Sequence, residues 1–348
     1  MRCNKCILPH GFPNLHFDEN GTCSFCSAGV GIARARPGLP TSITEARKII
    51  LALSGGRDSC YGLDFLTRNT HAEIIAFTYD WPLVHSRARR NASRMVSVLE
   101  IEHVLRAPNS FQHLKFIRKV VNAISKHPDA RVIPLLLAPD KFFFSEAEKV
   151  RAKYGADVIV FCAGNDLEFT AFKSGVAGAQ TTRPEEMLEM SRLESVKFLF
   201  SLFSCYLQNP RLFLAGIRIP VLAFLTTYLF RPKIEYLFQY IDWDESQIEK
   251  VLADFGWEGP KNPSSRDSWR SGDGTVTFYN YLYFQLLGFN ERTTHLSNKI
   301  RAGLISREDA LKLEELNNSP DIEGLREYAA QIGFQLDEFL REFNGHLN

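Results

Sequence analysis

An α/β architecture is predicted for this chain: a small cysteine ribbon at the N-terminus, a doubly wound parallel sheet, and a mostly helical C-terminal region. Three observations predict it. Two C-x-x-C pairs stand within the first 26 residues, a short apolar run at 48–53 opens directly into a glycine turn and a helical pattern, and strand and helix patterns then alternate to about residue 162. A length of 348 residues suits two domains, or one domain with an appendage. The expected boundaries are 1–30 for the ribbon, 31–45 for a Gly/Pro-rich linker, 46–170 for the sheet domain and 171–348 for the helical remainder.

Composition narrows the function classes. Lys plus Arg is 41 against 40 for Asp plus Glu, so the net charge of +1 gives no composition-level case for nucleic acid or an anionic membrane and leaves only local patches. Hydrophobic residues at 45% are those of a globular chain with a sizeable core. The opening MRCNKCILPH lacks an apolar stretch of signal-peptide length, so a cytoplasmic location is expected.

Cys3 and Cys6 form the first pair, Cys23 and Cys26 the second, and the 16 residues between them match a four-cysteine zinc site, with four reduced cysteines or an iron site as the alternatives. Two residues between cysteines let both thiolates turn toward one ion, and two such knuckles complete a tetrahedron. A filled sulfur shell leaves no open position for water, so the expected role is structural or docking. Asn20-Gly21 reads as the hairpin turn between the pairs.

The run at 48–53 suits a buried strand, and Ser54-Gly55-Gly56-Arg57-Asp58-Ser59 follows it at the start of a helix. Glycines let a phosphate approach the main chain, and the amides of the helix start and the hydroxyls of Ser54 and Ser59 donate to it. Asp58 beside a phosphate implies a cation between them, hence magnesium. Neither G-x-x-x-x-G-K-[ST] nor G-x-G-x-x-G occurs. Further strands are expected at 72–78, 103–106 and 157–162, with helices at 87–99 and 111–125. This alternation brings the loop, Thr78-Tyr79-Asp80 and Gly164-Asn165-Asp166 to one sheet edge. Arg87, Arg89, Arg90 and Arg94 read as a solvated helix face rather than a phosphate contact.

Residues 195–230 are strongly apolar, but Pro210, Arg211, Arg218 and Pro220 interrupt them, so no transmembrane span is expected. Buried helices are the leading reading, ahead of a partner surface and a membrane-surface contact. Beyond them, Asp244 caps a helix to about 255, the loop 260–274 carries Arg266, Trp269 and Arg270 as candidates for anion and ring recognition, Gly288 stops an aromatic helix, and Ser306-x-x-Asp309 opens another.

The hexapeptide SGGRDS resembles the pyrophosphatase (PP) loop of the ATP pyrophosphatase superfamily, with Arg57 where the usual form has lysine. Together with the double C-x-x-C ribbon, Gly164-Asn165, Tyr240-x-x-Trp243, Gly256-Trp257, the loop from Ser264 to Arg270, Lys299-Ile300-Arg301-x-Gly303 and Ile305-Ser306-Arg307-Glu308, it is similar to the N-acetyl sugar amidotransferase family of bacterial surface-polysaccharide and lipopolysaccharide biosynthesis. The resemblance implies ATP with magnesium on Asp58, and nucleotide contacts at Ser54, Gly55, Gly56, Arg57, Asp58, Ser59, Thr78, Gly164 and Arg270. It also implies catalytic roles for Asp58, Arg57, Lys299 and Arg301. The reaction implied adenylates an acetamido oxygen of a nucleotide-linked or lipid-linked N-acetyl sugar, and ammonia then displaces AMP. Residue 2 is Arg rather than a cysteine nucleophile, and Cys162 lacks the first glycine of a nucleophile elbow, so no glutaminase is found in the chain. A separate glutaminase subunit, often accompanied by a channel-forming subunit, is the implied ammonia source. Two alternatives stand beside this reading. One is a tRNA thiolation enzyme, which needs more cysteine than Cys60, Cys162 and Cys205 supply; the other is a non-catalytic nucleotide-binding scaffold.

Overall fold

The computed structural model describes residues 1–29, 36–165, 167, 175–176, 192–230, 232–259, 274–318 and 320–347. Strands β1 (Lys48–Ala52), β2 (Glu73–Tyr79), β3 (Glu102–Arg106), β4 (Val158–Phe161) and β5 (Ile234–Tyr236) form one parallel sheet in the order β3-β2-β1-β4-β5. Alternate side chains of a strand leave opposite faces, so the apolar runs feed two cores. Ile49, Leu51, Ile74, Ala76, Val158 and Val160 enter one core with helices α1 (Arg57–Asn69) and α2 (Ser86–Val98). Ile50, Ile75, Phe77, Ile159 and Phe161 enter the other, covered by Phe144, Ala147 and Val150. Between these covering elements come α3 (Ser110–Lys126), which packs elsewhere, and α4 (Phe143–Tyr154), which supplies that second cover. The chain is therefore α/β with a doubly wound parallel sheet, as expected.

The C-terminal chain returns to this sheet. After α5 (Arg192–Gln208), α6 (Arg211–Ala215) and α7 (Arg218–Phe224) it supplies edge strand β5, then α8 (Glu245–Asp254), whose Ile248 and Leu252 join the core of α1 and α2. Asp244 caps α8 by accepting the amides of Ser246 and Gln247. The expected division at residue 170 thus falls between strands of one sheet.

A third core is helical and sits beside the sheet. It joins α3 to α9 (Thr275–Leu287), α12 (Ile322–Ile332) and α13 (Leu336–Gly345), with α10 (Glu291–Arg301) and α11 (Arg307–Asn318) between α9 and α12 in sequence. The cysteine ribbon belongs to this core, since Leu8, Phe12 and Phe25 are members of it and Phe12 packs on Phe289, while Ile7 joins a smaller cluster with Leu296 and Ala310. Its hairpin is held by Asp18, whose carboxylate accepts the amides of Asn20 and Thr22, and Arg2 pairs with Glu314 of α11.

The segment 195–230, expected as buried helices, is buried on one side only. Leu202, Cys205, Tyr206, Leu212, Ala223 and Phe224 face the interior, while a second set of apolar side chains faces outward. Among the described residues no helix is long and apolar enough to cross a membrane.

The packing of α1 is tight at Gly62. A Cβ there would lie 2.2 Å from Cys162 Sγ and 3.0 Å from Leu237 Cδ2. Helix propensity favours Ala over Gly by about 1 kcal/mol, whereas overpacking costs about 1–3 kcal/mol. Gly62→Ala is therefore expected to lower the unfolding free energy by roughly 1 kcal/mol in urea titration; a gain in stability would contradict this packing.

Candidate active site

The loop between β1 and α1 folds on itself at the C-terminal edge of the sheet. Ser54 Oγ and Ser59 Oγ lie 3.0 Å apart, the Ser54 amide donates to Ser59 Oγ at 3.2 Å, and the Gly56 amide donates to Ser54 Oγ at 3.3 Å. Donors and hydroxyls thus converge beside the first turn of α1, whose leading amides have no acceptor within the helix. Gly55 has φ +74°, and a Cβ there would lie 1.9 Å from the Ala88 carbonyl oxygen. No other residue fits that position. The Gly55 carbonyl accepts from Asn91 Nδ2 at 3.2 Å and Trp257 Nε1 at 3.3 Å, so α2 and the turn after α8 grip the loop from behind. Arg90 and Arg94 hold that turn through Glu258, and Arg89 pairs with Asp80. Three of the four arginines read as a solvated face therefore brace the loop's surroundings.

Arg57 and Lys299 meet through a residue the sequence did not single out. Arg57 is buried, with Nε 3.1 Å from Asp58 Oδ1, Nη1 2.5 Å from Glu245 Oε1, and its guanidinium 5.0 Å from the Trp243 ring centroid. Lys299 Nζ reaches the other oxygen of Glu245 at 3.0 Å. Burial alone pushes Glu245 upward, but the charges of Arg57 and Lys299 outweigh it and hold the carboxyl below its ordinary value. For Asp58 the balance is reversed: burial pushes its pKa up despite Arg57. A buried carboxylate whose desolvation exceeds its compensation suits a cation.

The loop forms one wall of a cavity of about 310 Å³. Ser54, Gly56, Asp58 and Ser59 line it with Thr78 and Tyr79 from the end of β2, Cys162 and Ala163 beyond β4, Asp140, and Val276 and Tyr279 from α9. This is the crevice where strand order reverses, β1 having β2 on one side and β4 on the other. Thr78 Oγ1 donates to the Leu53 carbonyl at 2.5 Å, so its contact with His103 Nε2 at 2.8 Å is donated by the imidazole. Burial lowers the His103 pKa, consistent with that neutral ring. Gly164, at φ +92°, faces Gln239 and Tyr236 so closely that a Cβ would approach Gln239 Cγ to 2.9 Å. Its place is the turn that lets β4 and β5 end together.

Arg301 stands elsewhere. Its guanidinium lies 5.9 Å from the Phe25 ring centroid, with Nη1 4.0 Å from Cys26 Sγ. Arg270, with the loop 260–273, and Asp166 lie outside the described residues. The sequence-derived set is thus divided between the loop and cavity, which hold Ser54 to Ser59 and Thr78, a support shell with Lys299 and Gly164, and the cysteine cluster with Arg301.

In that cluster the sulfurs of Cys3, Cys6, Cys23 and Cys26 lie within 4.8 Å of one another. Cys3–Cys26 and Cys6–Cys23 are 3.9 and 3.7 Å apart, and a tetrahedron with metal–sulfur bonds of about 2.3 Å has edges of about 3.8 Å. The residues therefore fit one tetrahedral ion. The Cys6 and Cys23 amides donate to Cys3 Sγ at 3.5 and 3.3 Å, and Arg307 of α11 donates to the carbonyls of Cys3 and Cys6. Contacts among the thiols push the Cys6 pKa down and those of Cys23 and Cys26 up, the behaviour of a coupled set.

Residues 268–348 match the model of a family described as LPS biosynthesis protein WbpG-like, C-terminal domain. The last part of the chain is similar to that domain. This agrees with the surface-polysaccharide resemblance read from the motifs. The matched segment supplies Val276 and Tyr279 to the cavity wall, Lys299 to Glu245, and Arg301 and Arg307 to the cysteine cluster. No curated protein matches the chain. Similar solved structures are a U34-tRNA thiolase NcsA from Methanococcus maripaludis with its 4Fe–4S cluster, at 12% identity, TM-score 0.34, over 96% of this chain and 88% of that one. Another is an NH3-dependent NAD synthetase from Campylobacter jejuni in complex with nitrate, at 12% identity, TM-score 0.26, over 64% and 91%.

Glu245, Asn91, His103, Asp140 and Tyr279 were not found as site residues from the sequence. Each is an ordinary helix, strand or loop residue by pattern, and only the fold brings it to the loop or cavity. The Glu245 network has a pH signature. Its folded pKa is depressed, so its stabilising contribution is complete above the unfolded glutamate value near 4.5 and is lost as pH falls through the folded value. Unfolding free energies of wild type and Glu245→Gln are expected to differ by about 1–3 kcal/mol at neutral pH and to converge as pH falls below the ordinary glutamate range. A difference that stays constant across that range would refute the ion-pair assignment.

Proposed function

We propose that the chain is an ATP-dependent amidotransferase that converts the acetamido group of an N-acetyl sugar to an acetamidino group in surface-polysaccharide biosynthesis. The observation that carries the reading is the cavity at the strand-order reversal, where two serine hydroxyls, a helix N-terminus and the buried carboxylate of Asp58 meet. Its WbpG-like wall supports the pathway class.

Amides are poor electrophiles, so the carbonyl oxygen must first become a leaving group. In the proposed reaction that oxygen attacks the α-phosphorus of ATP, the α–β anhydride bond breaks, and pyrophosphate departs. The amide nitrogen loses its proton to leave an O-adenylyl imidate. Ammonia adds to the imidate carbon, the C–O bond to AMP breaks, and the acetamidine remains. Ser54, Ser59 and the leading amides of α1 receive the departing pyrophosphate. Asp58 would hold magnesium, which would supply charge neutralisation to the phosphates. Arg57 lies beside Asp58 and brings positive charge to the loop, and Glu245 holds it and Lys299 in register. Thr78, held by His103, lines the cavity next to the nucleotide. Ammonia comes from a separate glutaminase, consistent with the absence of a recognisable glutaminase motif in the sequence.

The cysteine cluster holds zinc in this reading, with a structural role, because a four-sulfur shell is closed and Arg307 and Phe25 tie it to the WbpG-like domain. Elemental analysis is expected to find about one zinc per chain, and Cys6→Ser is expected to lose it and to lower the melting temperature. Iron in place of zinc would overturn that assignment.

Cys162 in the cavity wall favours a second reading, sulfur transfer to tRNA. One experiment separates the two: pyrophosphate release from Mg-ATP with ammonium chloride, offered nucleotide-linked N-acetyl sugars or unmodified tRNA. Sugar-dependent release is expected, falling at least about a hundredfold in Asp58→Asn and persisting in Cys162→Ser. Stimulation by tRNA that vanishes in Cys162→Ser would replace this function with thiolation.

A further inference from the structure

Helix α5 is apolar on two faces. Leu202, Cys205 and Tyr206 are buried, whereas Leu193, Val196, Phe200, Phe203 and Leu207 face outward at intervals of three and four residues. Such spacing puts them on one stripe of the helix. The outward surface continues through Phe213 and Leu214 of α6, Leu222 of α7, and Leu229 and Phe230 beyond it, with Phe200 and Phe230 each 71% exposed. These helices are fixed to one another by Phe198 stacked on Phe224 and Tyr206 against Phe213. The face is therefore a built surface. A helix apolar all round is covered by something.

The charge of the segment identifies the cover. Residues 192–233 contain six basic residues, Arg192, Lys197, Arg211, Arg218, Arg231 and Lys233, and one acidic residue, Glu194, in a chain whose total charge is +1. Lys197, Arg211, Arg218 and Lys233 are exposed. A symmetric contact with a second copy would set this excess of positive charge against itself. An anionic bilayer offers both what the apolar side chains and what the segment's exposed basic side chains require: an acyl boundary and phosphate headgroups.

We propose that the outward face of α5, α6, α7 and the turn at 225–230 seats the protein on an anionic phospholipid surface. The helices lie in the interface plane, since none in the described residues is long and apolar enough to cross it. The proposal does not depend on the catalytic reading.

The test is co-sedimentation of the full chain with phosphatidylcholine vesicles, with and without phosphatidylglycerol, alongside light-scattering mass in solution. Binding is expected only to the phosphatidylglycerol vesicles and is expected to weaken with salt. Lys197→Gln and Arg211→Gln are each expected to reduce partitioning about fivefold, and Phe200→Ser with Leu214→Ser about tenfold or more, with unchanged circular dichroism and melting. Equal partitioning to both vesicle types, or to neither, overturns the proposal. So does a dimer in solution that Phe200→Ser converts to monomer, which would give the face to a second copy.

Discussion

The contact of Gly55 with the Ala88 carbonyl is the constraint on which the candidate site depends. A backbone with φ +74° and no room for a Cβ lets the loop after β1 lie directly on α2. That approach turns the Gly55 carbonyl toward Asn91 and Trp257, and it sets Gly56 as the residue from which α1 starts. The serine hydroxyls, the helix amides and Asp58 then point into one cavity because the backbone between them has nowhere else to go.

The C-terminal half completes what the loop begins. β5 and α8 extend the sheet and its core, the turn at Trp257 grips the loop, and Glu245 at the start of α8 joins Arg57 to Lys299. The C-terminal segment 274–347 then bridges two centres. One of its faces lines the cavity with Tyr279, and another receives the ribbon through Arg307, Arg301 and Phe289. The ribbon is thus part of the helical core, which accounts for the burial of Cys3, Cys6 and Cys23.

Much of this was legible in the sequence because its signals are local. Strands expected at 72–78, 103–106 and 157–162 stand at Glu73–Tyr79, Glu102–Arg106 and Val158–Phe161, and the cysteine spacing alone indicates the tetrahedral set. What was missed is tertiary. β5 is three residues with Glu235 at its centre, acceptable in a buried strand only because Ser42 and Tyr240 donate to that carboxylate. Helix α10 is polar in sequence, yet Glu291 through Asn298 are buried, with Thr293 bonded to Glu314 and Asn298 to the Leu167 carbonyl. Hydropathy patterning sees the polar groups and not their partners. The sequence of 195–230 leaves buried core, partner surface and membrane-surface contact open, since apolar pattern alone gives no sign of which side is covered.

The central claim is that ATP is cleaved between its α and β phosphates by the oxygen of an amide. The most direct measurement is the fate of a heavy-oxygen label placed in the acetamido carbonyl of the sugar, followed by mass spectrometry of the nucleotide product. The account predicts that the label appears in the phosphoryl group of AMP, with unlabelled pyrophosphate and a sugar that has gained nitrogen in its place. Label retained in the sugar, or ADP and phosphate as products, would contradict it.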